Sequence, residues 1–162
     1  MDRPAGVAIT GLPPGFDRWA ELLALILRAF AYMDGVIDPP SSAHLLTAER
    51  LEEKARHETG FLALQGGRIV GCLFTQERPD TLYVGKLAVA PDLHGQGIGR
   101  LLMRAAEDLA VSHGKRAIEL QTRVELSANH AAFARLGFDE TERTAHGGYD
   151  RPTSITMRKV LL

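Results

Sequence analysis

The feature that most constrains this fold is the segment His94-Gly95-Gln96-Gly97-Ile98-Gly99-Arg100, which joins a strand-like run, Leu82 to Ala90, directly to an amphipathic helix pattern. Glycine at every second position permits backbone conformations closed to other residues, so successive peptide N–H groups can turn toward one point. A helix starting near Gly97 adds unpaired N-terminal donors and the positive end of its dipole. The junction therefore reads as a backbone cradle for an anion such as phosphate or pyrophosphate. Two nucleotide patterns are excluded by the residues themselves. There is no Gly-Lys-Ser/Thr, and a dinucleotide fingerprint would need a further glycine at Arg100 or Leu102.

Elements on either side follow from periodicity. Val7-Ala8-Ile9 is a short strand, and the turn residues from Gly11 to Gly15 follow it. A helix is expected from near Asp17, with Asp17 as N-cap, because Trp19, Leu22, Leu23, Ile26 and Phe30 keep the spacing of one helix face. A second, polar helix is expected from Thr47 to His57. Phe61 to Leu64 and Ile69 to Phe74, separated by Gln65-Gly66-Gly67-Arg68, form a hairpin. In the next strand the apolar positions change parity between Leu82/Val84 and Leu87/Val89, which places a β-bulge at Gly85-Lys86. Ile98, Leu101, Leu102, Ala105, Ala106 and Leu109 share one face of the following helix, which Gly114 closes. Ala117 to Gln121 is a strand, Ser127 to Leu136 a short helix, and Phe138 to Glu142 and Ser154 to Val160 the last strands. This order implies an α/β or α+β chain built on a mixed sheet, with residues 1–162 as one domain.

Composition removes several classes of function. A net charge of −1 with dispersed basic residues gives no footprint for nucleic acid or an anionic membrane, and leaves small neutral or cationic substrates open. Cys72 is the sole cysteine and has apolar neighbours, so an intrachain disulfide and a thiolate metal site are both excluded and a buried thiol is expected. No metal is called for. The longest apolar run, Leu22 to Leu27, is too short to span a bilayer, and the expected location is cytoplasmic. A homodimer is compatible with the sequence.

The order of elements and the glycine loop together resemble the GNAT superfamily of N-acetyltransferases. The family loop Gln/Arg-x-x-Gly-x-Gly/Ala is matched by His94, Gly97 and Gly99, with His94 departing at its first position. Leu87-Ala88-Val89-Ala90-Pro91, Ile98 to Leu102 and Phe133-Ala134-Arg135-Leu136-Gly137-Phe138 carry the rest of the likeness. The resemblance implies a sheet splayed between its fourth and fifth strands and flanked by helices. It also implies acetyl-CoA as cosubstrate, its pyrophosphate held by His94, Gly95, Gln96, Gly97, Ile98, Gly99 and Arg100, and its pantetheine arm paired with the backbone of Leu87, Ala88 and Val89. Asn129 either bonds that arm or caps its own helix, and His94 is expected to donate to phosphate.

A second departure bears on mechanism. Many members have a tyrosine where this chain has Phe133, and that tyrosine protonates the departing thiolate. A thiol with a pKa of about 8.5 can leave unprotonated, only more slowly, so Phe133 becomes a packing surface for pantetheine or simply a core residue. The attacking amine, with a pKa of about 10, must still lose a proton. Tyr83 or a neighbour stands where some members carry a glutamate, which leaves Glu119, Glu125, His146 and Tyr149 as acid or base candidates; Tyr149, His146 and Glu119 are preferred. The polar segment from His146 to Pro152 is the expected substrate rim, opposed by Tyr32 to Asp38; Asp34, Asp38 and Asp150 read either as attractors of a cationic amine or as ordinary turn residues, the turn reading being favoured for Asp34 and Asp38. The expected activity is acetyl transfer from acetyl-CoA to a primary amine of a small molecule or peptide. The alternative is a non-catalytic acyl-CoA-binding or sensing module of the same fold.

Overall fold

A computed structural model describes residues 6–161. Seven strands form one sheet in the order β1-β2-β3-β4-β5-β7-β6: β1 Val7–Gly11, β2 Thr59–Gln65, β3 Arg68–Glu77, β4 Thr81–Val89, β5 Ala117–Arg123, β6 Asp139–Thr144 and β7 Ser154–Val160. All neighbours are antiparallel except β4 and β5, which run parallel. The β2–β3 hairpin turns on Gly66 and Gly67, both at positive φ, as the two-glycine signal predicts.

Four α-helices, α1 Trp19–Phe30, α2 Ala48–His57, α3 Ile98–Ser112 and α4 Ser127–Arg135, and three single-turn 3-10 helices accompany the sheet among the described residues. Both faces of the sheet are covered. Gly71 in β3 meets Leu102 and Ile98 of α3, where a Cβ would lie 3.0 Å from Leu102, while Phe74 turns its ring to Lys54 of α2. Those positions are three apart and so point to opposite faces. Leu22, Leu25 and Ile26 of α1 and Ile98, Leu102, Met103 and Ala106 of α3 are buried in the central core, each large apolar side chain contributing about 1.5–3 kcal/mol. Among the described residues no helix is long and apolar enough to cross a membrane.

One local expectation changes. The N-cap of α1 is Arg18, not Asp17, and it makes no side-chain cap bond; the Arg18 guanidinium instead pairs with Glu21 and donates to the Gly67 carbonyl. A tertiary anchor to the β2–β3 turn outweighs the local capping preference of aspartate. Thr47 does cap α2 through the Arg50 N–H, and α3 ends in the six-to-one and five-to-two bonds that Gly114, at positive φ, permits.

The bulge lies where the parity change puts it. Cys72 pairs with Ala88 and Phe74 with Gly85, so Lys86 and Leu87 oppose Leu73 alone, and Lys86 takes φ +51°. Past this point β4 leaves β5. Their pairing runs from Thr81/Ala117 only to Val84/Leu120, although β4 continues to Val89 and β5 to Arg123. The sheet is therefore splayed between its fourth and fifth strands. Leu87 and Val89 are partly buried against the edge of the core and also form walls of the opening.

Candidate active site

Two cavities enter the splay from opposite sides and share Phe30, Tyr32, Leu87, Asn129 and Phe133. The larger, 740 Å³, runs along the outer end of β4 to the glycine loop. The smaller, 350 Å³, lies between the bulge of β4, the end of β5 and the 30–42 connection. The volumes suit small organic groups.

The larger cavity gathers the cradle read from the sequence. Leu87, Ala88, Val89, His94, Gly95, Gly97, Ile98, Gly99, Arg100, Asn129 and Phe133 all line it, and Gln96 does not. Gly95 and Gly97 adopt φ +80° and +84°, and a Cβ on either would meet nothing within 4 Å, so both are required by conformation rather than by crowding. No side chain caps the N-terminus of α3, and its first intrahelical bond is from Leu101 to the Gly97 carbonyl. The N–H groups of Ile98, Gly99 and Arg100 are thus available to an anion. Arg28 and Arg135 join Arg100 at this cavity, and none of these arginines forms an ion pair among the described residues, although the charge of Arg28 reaches Asp92. Arg28 and Arg135 were missed from the sequence, because the end of α1 and the end of α4 meet the loop only in three dimensions.

His94 sits differently from expectation, and one of the two readings of Asn129 is excluded. His94 Nε2 lies 3.1 Å from the Val89 carbonyl, so its ring is bonded to the strand end rather than extended toward a phosphate. Asn129 does not cap α4, whose N-cap Leu126 has no side-chain bond; its amide donates to the Tyr32 hydroxyl at 3.0 Å.

The smaller cavity receives Tyr83, Lys86, Arg123 and His146. Burial raises the Tyr83 pKa and lowers that of Lys86, where the charge of Lys54 acts in the same direction. His146 presents Nδ1 to the buried Thr153 hydroxyl at 2.5 Å, and its backbone N–H donates to the same oxygen at 2.8 Å. Burial, with Arg123 nearby, holds the imidazole below its ordinary pKa, which favours a neutral ring.

The remaining acid and base candidates lie outside both cavities. Glu119 faces Arg158 at 3.9 Å. Glu125 accepts from the Asp38 N–H at 3.2 Å. Tyr149 donates its hydroxyl to Asp38 at 2.7 Å, and that bond is the main cause of its raised pKa. Arg151 binds the other Asp38 oxygen at 3.0 Å, while Arg123 donates to the carbonyls of Pro39 and Pro40. The two expected rims are therefore tied to each other. Asp38 is consumed in that tie, Asp34 is held by His44, and neither these nor Asp150 lines a cavity, so the expected attraction for a cationic amine is not built into the site.

Comparison with known proteins agrees with this geometry. The sequence model of the acetyltransferase (GNAT) family matches residues 19–138. The chain is 33% identical over 131 residues to an IAA acetyltransferase of Azospirillum brasilense, covering 78% of this chain and 82% of that protein. It is 33% identical over 91 residues to N-alpha-acetyltransferase 30 of Schizosaccharomyces pombe, covering 53% of this chain and 61% of the relative. For other curated relatives the match spans less than half of their length, 42% and 43% in two cases. The PaiA N-acetyltransferase of Thermoplasma acidophilum, solved in complex with coenzyme A, superposes with a TM-score of 0.81 over 96% of this chain and 99% of that one, at 15% identity.

Proposed function

The chain belongs to the acetyltransferase (GNAT) family, and from that membership we propose that it moves the acetyl group of acetyl-CoA to a primary amine by direct attack in a ternary complex. The observation that carries the reading is the meeting of the two cavities at Leu87, Tyr32, Asn129 and Phe133. Acetyl-CoA enters from the glycine-loop side, with the α3 N-terminus and Arg28, Arg100 and Arg135 answering its phosphates. The amine enters from the bulge side and attacks where the cavities join. A C–N bond forms, the C–S bond breaks, and the thiolate leaves along the larger cavity.

His146 takes the proton released by the amine. When the Thr153 hydroxyl donates to the Thr144 carbonyl, Nδ1 carries the ring proton and Nε2 is left as the base. Tyr32 supplies the acid that Phe133 cannot. Its hydroxyl accepts from Asn129, which leaves its own proton to be donated, and the residue borders both cavities.

The test is acetyl-CoA turnover across primary amines and peptide N-termini, read by free thiol and by the mass of the product. Thiol release with stoichiometric N-acetylated product supports transfer. Tight acetyl-CoA binding without turnover across the panel overturns it in favour of an acyl-CoA-binding module.

A further inference from the structure

The smaller cavity has a charge that the chain as a whole conceals. Lys54, Lys86 and Arg123 line it, and among the described residues no carboxylate does. Lys54 is answered by Glu58 at 2.9 Å. Lys86 forms no ion pair among the described residues: its ammonium donates to the Ser42 hydroxyl at 2.9 Å, and the Glu58 carboxylate bound to Lys54 acts on it only through space. Arg123 spends two donors on backbone carbonyls and likewise forms no ion pair among the described residues, although Glu125 and Asp38 lie near enough to act on its charge.

Three further observations point to a ligand. Lys86 holds φ +51°, a conformation disfavoured for a side-chain-bearing residue, at the bulge that opens the cavity. A half-buried ammonium facing other cations is costly unless an anion joins it. The Thr122 hydroxyl, on a residue only 8% exposed, lines the same cavity with no hydrogen-bond partner. A buried hydroxyl without a partner is a standing cost that a bound acceptor oxygen removes.

We propose that the acceptor carries an anionic oxygen group, a carboxylate or a phosphate, beside its reacting amine, and that Lys86, Arg123 and the Thr122 hydroxyl hold that group in the smaller cavity. The proposal rests on the reading that this cavity takes the acceptor. Electrostatics then gives a sorting rule. A simple diamine would bring further positive charge to Lys86 and Arg123, whereas an amino acid or amino phosphate offsets it and leaves its amine directed toward the junction. Burial is the main cause of the lowered pKa of Lys86, with the charges of Lys54 and Arg123 acting in the same direction and Glu58 against them.

The experiment compares matched acceptors at saturating acetyl-CoA: L-alanine with L-alaninamide, 4-aminobutanoate with 4-aminobutanamide, and O-phosphoethanolamine with ethanolamine. In at least one pair the anionic member is expected to have the higher kcat/KM by about 30-fold or more, and the pair that shows it separates carboxylate from phosphate. Lys86→Met should erase the preference and Lys86→Arg should keep most of it, since arginine retains the charge but cannot serve as a base. Thr122→Val should weaken only the anionic member, and raising salt from low to molar levels should narrow the gap. Equal rates within every pair, or a preference that survives Lys86→Met, overturn the proposal. The same compounds titrated calorimetrically into the protein loaded with CoA decide the matter without turnover. Preferential binding of an anionic member sustains the inference even if acetyl transfer fails, and absence of any preference, or of any binding, overturns it.

Discussion

The Tyr149 hydroxyl donates to Asp38 Oδ1 at 2.7 Å, with Arg151 on the other carboxylate oxygen, so the loop between β6 and β7 is pinned to the loop after α1. A donor committed to a carboxylate is a poor acid for a departing thiolate, and the same bond raises its pKa. Tyr149→Phe is therefore expected to change kcat by only a few-fold, where loss of a general acid costs about 10²-fold. The pin itself should weaken. Faster amide exchange over residues 145–152, with little change in global stability, is the expected signature. A hundredfold fall in kcat with unchanged exchange would return Tyr149 to the catalytic set.

Tyr32 and Phe133 both border the two cavities, and only one of them carries a proton. Tyr32→Phe should lower kcat by about 10²-fold with acetyl-CoA affinity preserved. Phe133→Tyr in that background should recover part of the loss, because it places a hydroxyl at the same junction. In the otherwise unchanged protein Phe133→Tyr should do little. Pre-steady-state thiol release distinguishes a slower chemical step from slower product release; unchanged kcat in Tyr32→Phe would remove the assigned acid.

Gly99 offers a clean probe of the cradle. Unlike Gly97, it has no positive φ, and a Cβ there would meet only Val89 at 3.9 Å, so substitution is tolerated by the fold. Gly99→Glu should unfold at the same temperature as the parent and lose acetyl-CoA binding, since its carboxylate would stand against the phosphates. Gly99→Ala separates bulk from charge and should bind more tightly than Gly99→Glu. Undiminished binding in a folded Gly99→Glu protein would dissociate the glycine loop from acetyl-CoA.

Legibility differs between the two halves of the site for a physical reason. The cradle is local: a strand, glycines and a helix start within a short stretch, and periodicity located even the bulge at Gly85-Lys86. The acceptor cavity is assembled from afar. Lys86 meets Ser42 across 44 positions and Tyr149 meets Asp38 across 111, and no spacing rule reports such pairs. The overall charge of −1 is equally silent, because it averages Lys86 and Arg123 with carboxylates elsewhere. Asp38 read as a turn residue or an attractor of a cationic amine, and neither reading reached its partners Tyr149 and Arg151, which lie far along the chain. His94 likewise matched a motif position, while its bond to Val89 depends on how the chain bends after β4.

That bond sets up opposite expectations for one variant. If His94 donated to phosphate, His94→Ala would weaken acetyl-CoA binding roughly tenfold or more, the scale of a hydrogen bond to a charged group. With the ring on the Val89 carbonyl, its removal exposes an acceptor that an amide of the pantetheine arm can use. His94→Ala is therefore expected to bind acetyl-CoA as tightly as the parent or more tightly, by calorimetry. A tenfold loss would show that the ring turns outward when acetyl-CoA is bound.

His146 makes the pH dependence directional. Burial and the charge of Arg123 depress its pKa below 6.5, so the folded protein favours the neutral ring. The associated stability is present above 6.5 and is lost as pH falls from there through the folded-state value. A base must be neutral to act, so kcat/KM, which reports the free enzyme, should show an acid limb with its inflection below 6.5. His146→Gln keeps a polar side chain next to Thr153 but cannot titrate. It should lower kcat by about 10²-fold and abolish the limb, whereas a purely structural role would lower the rate and leave the inflection in place. Persistence of the acid limb in His146→Gln assigns the proton to another group and removes His146 as the base.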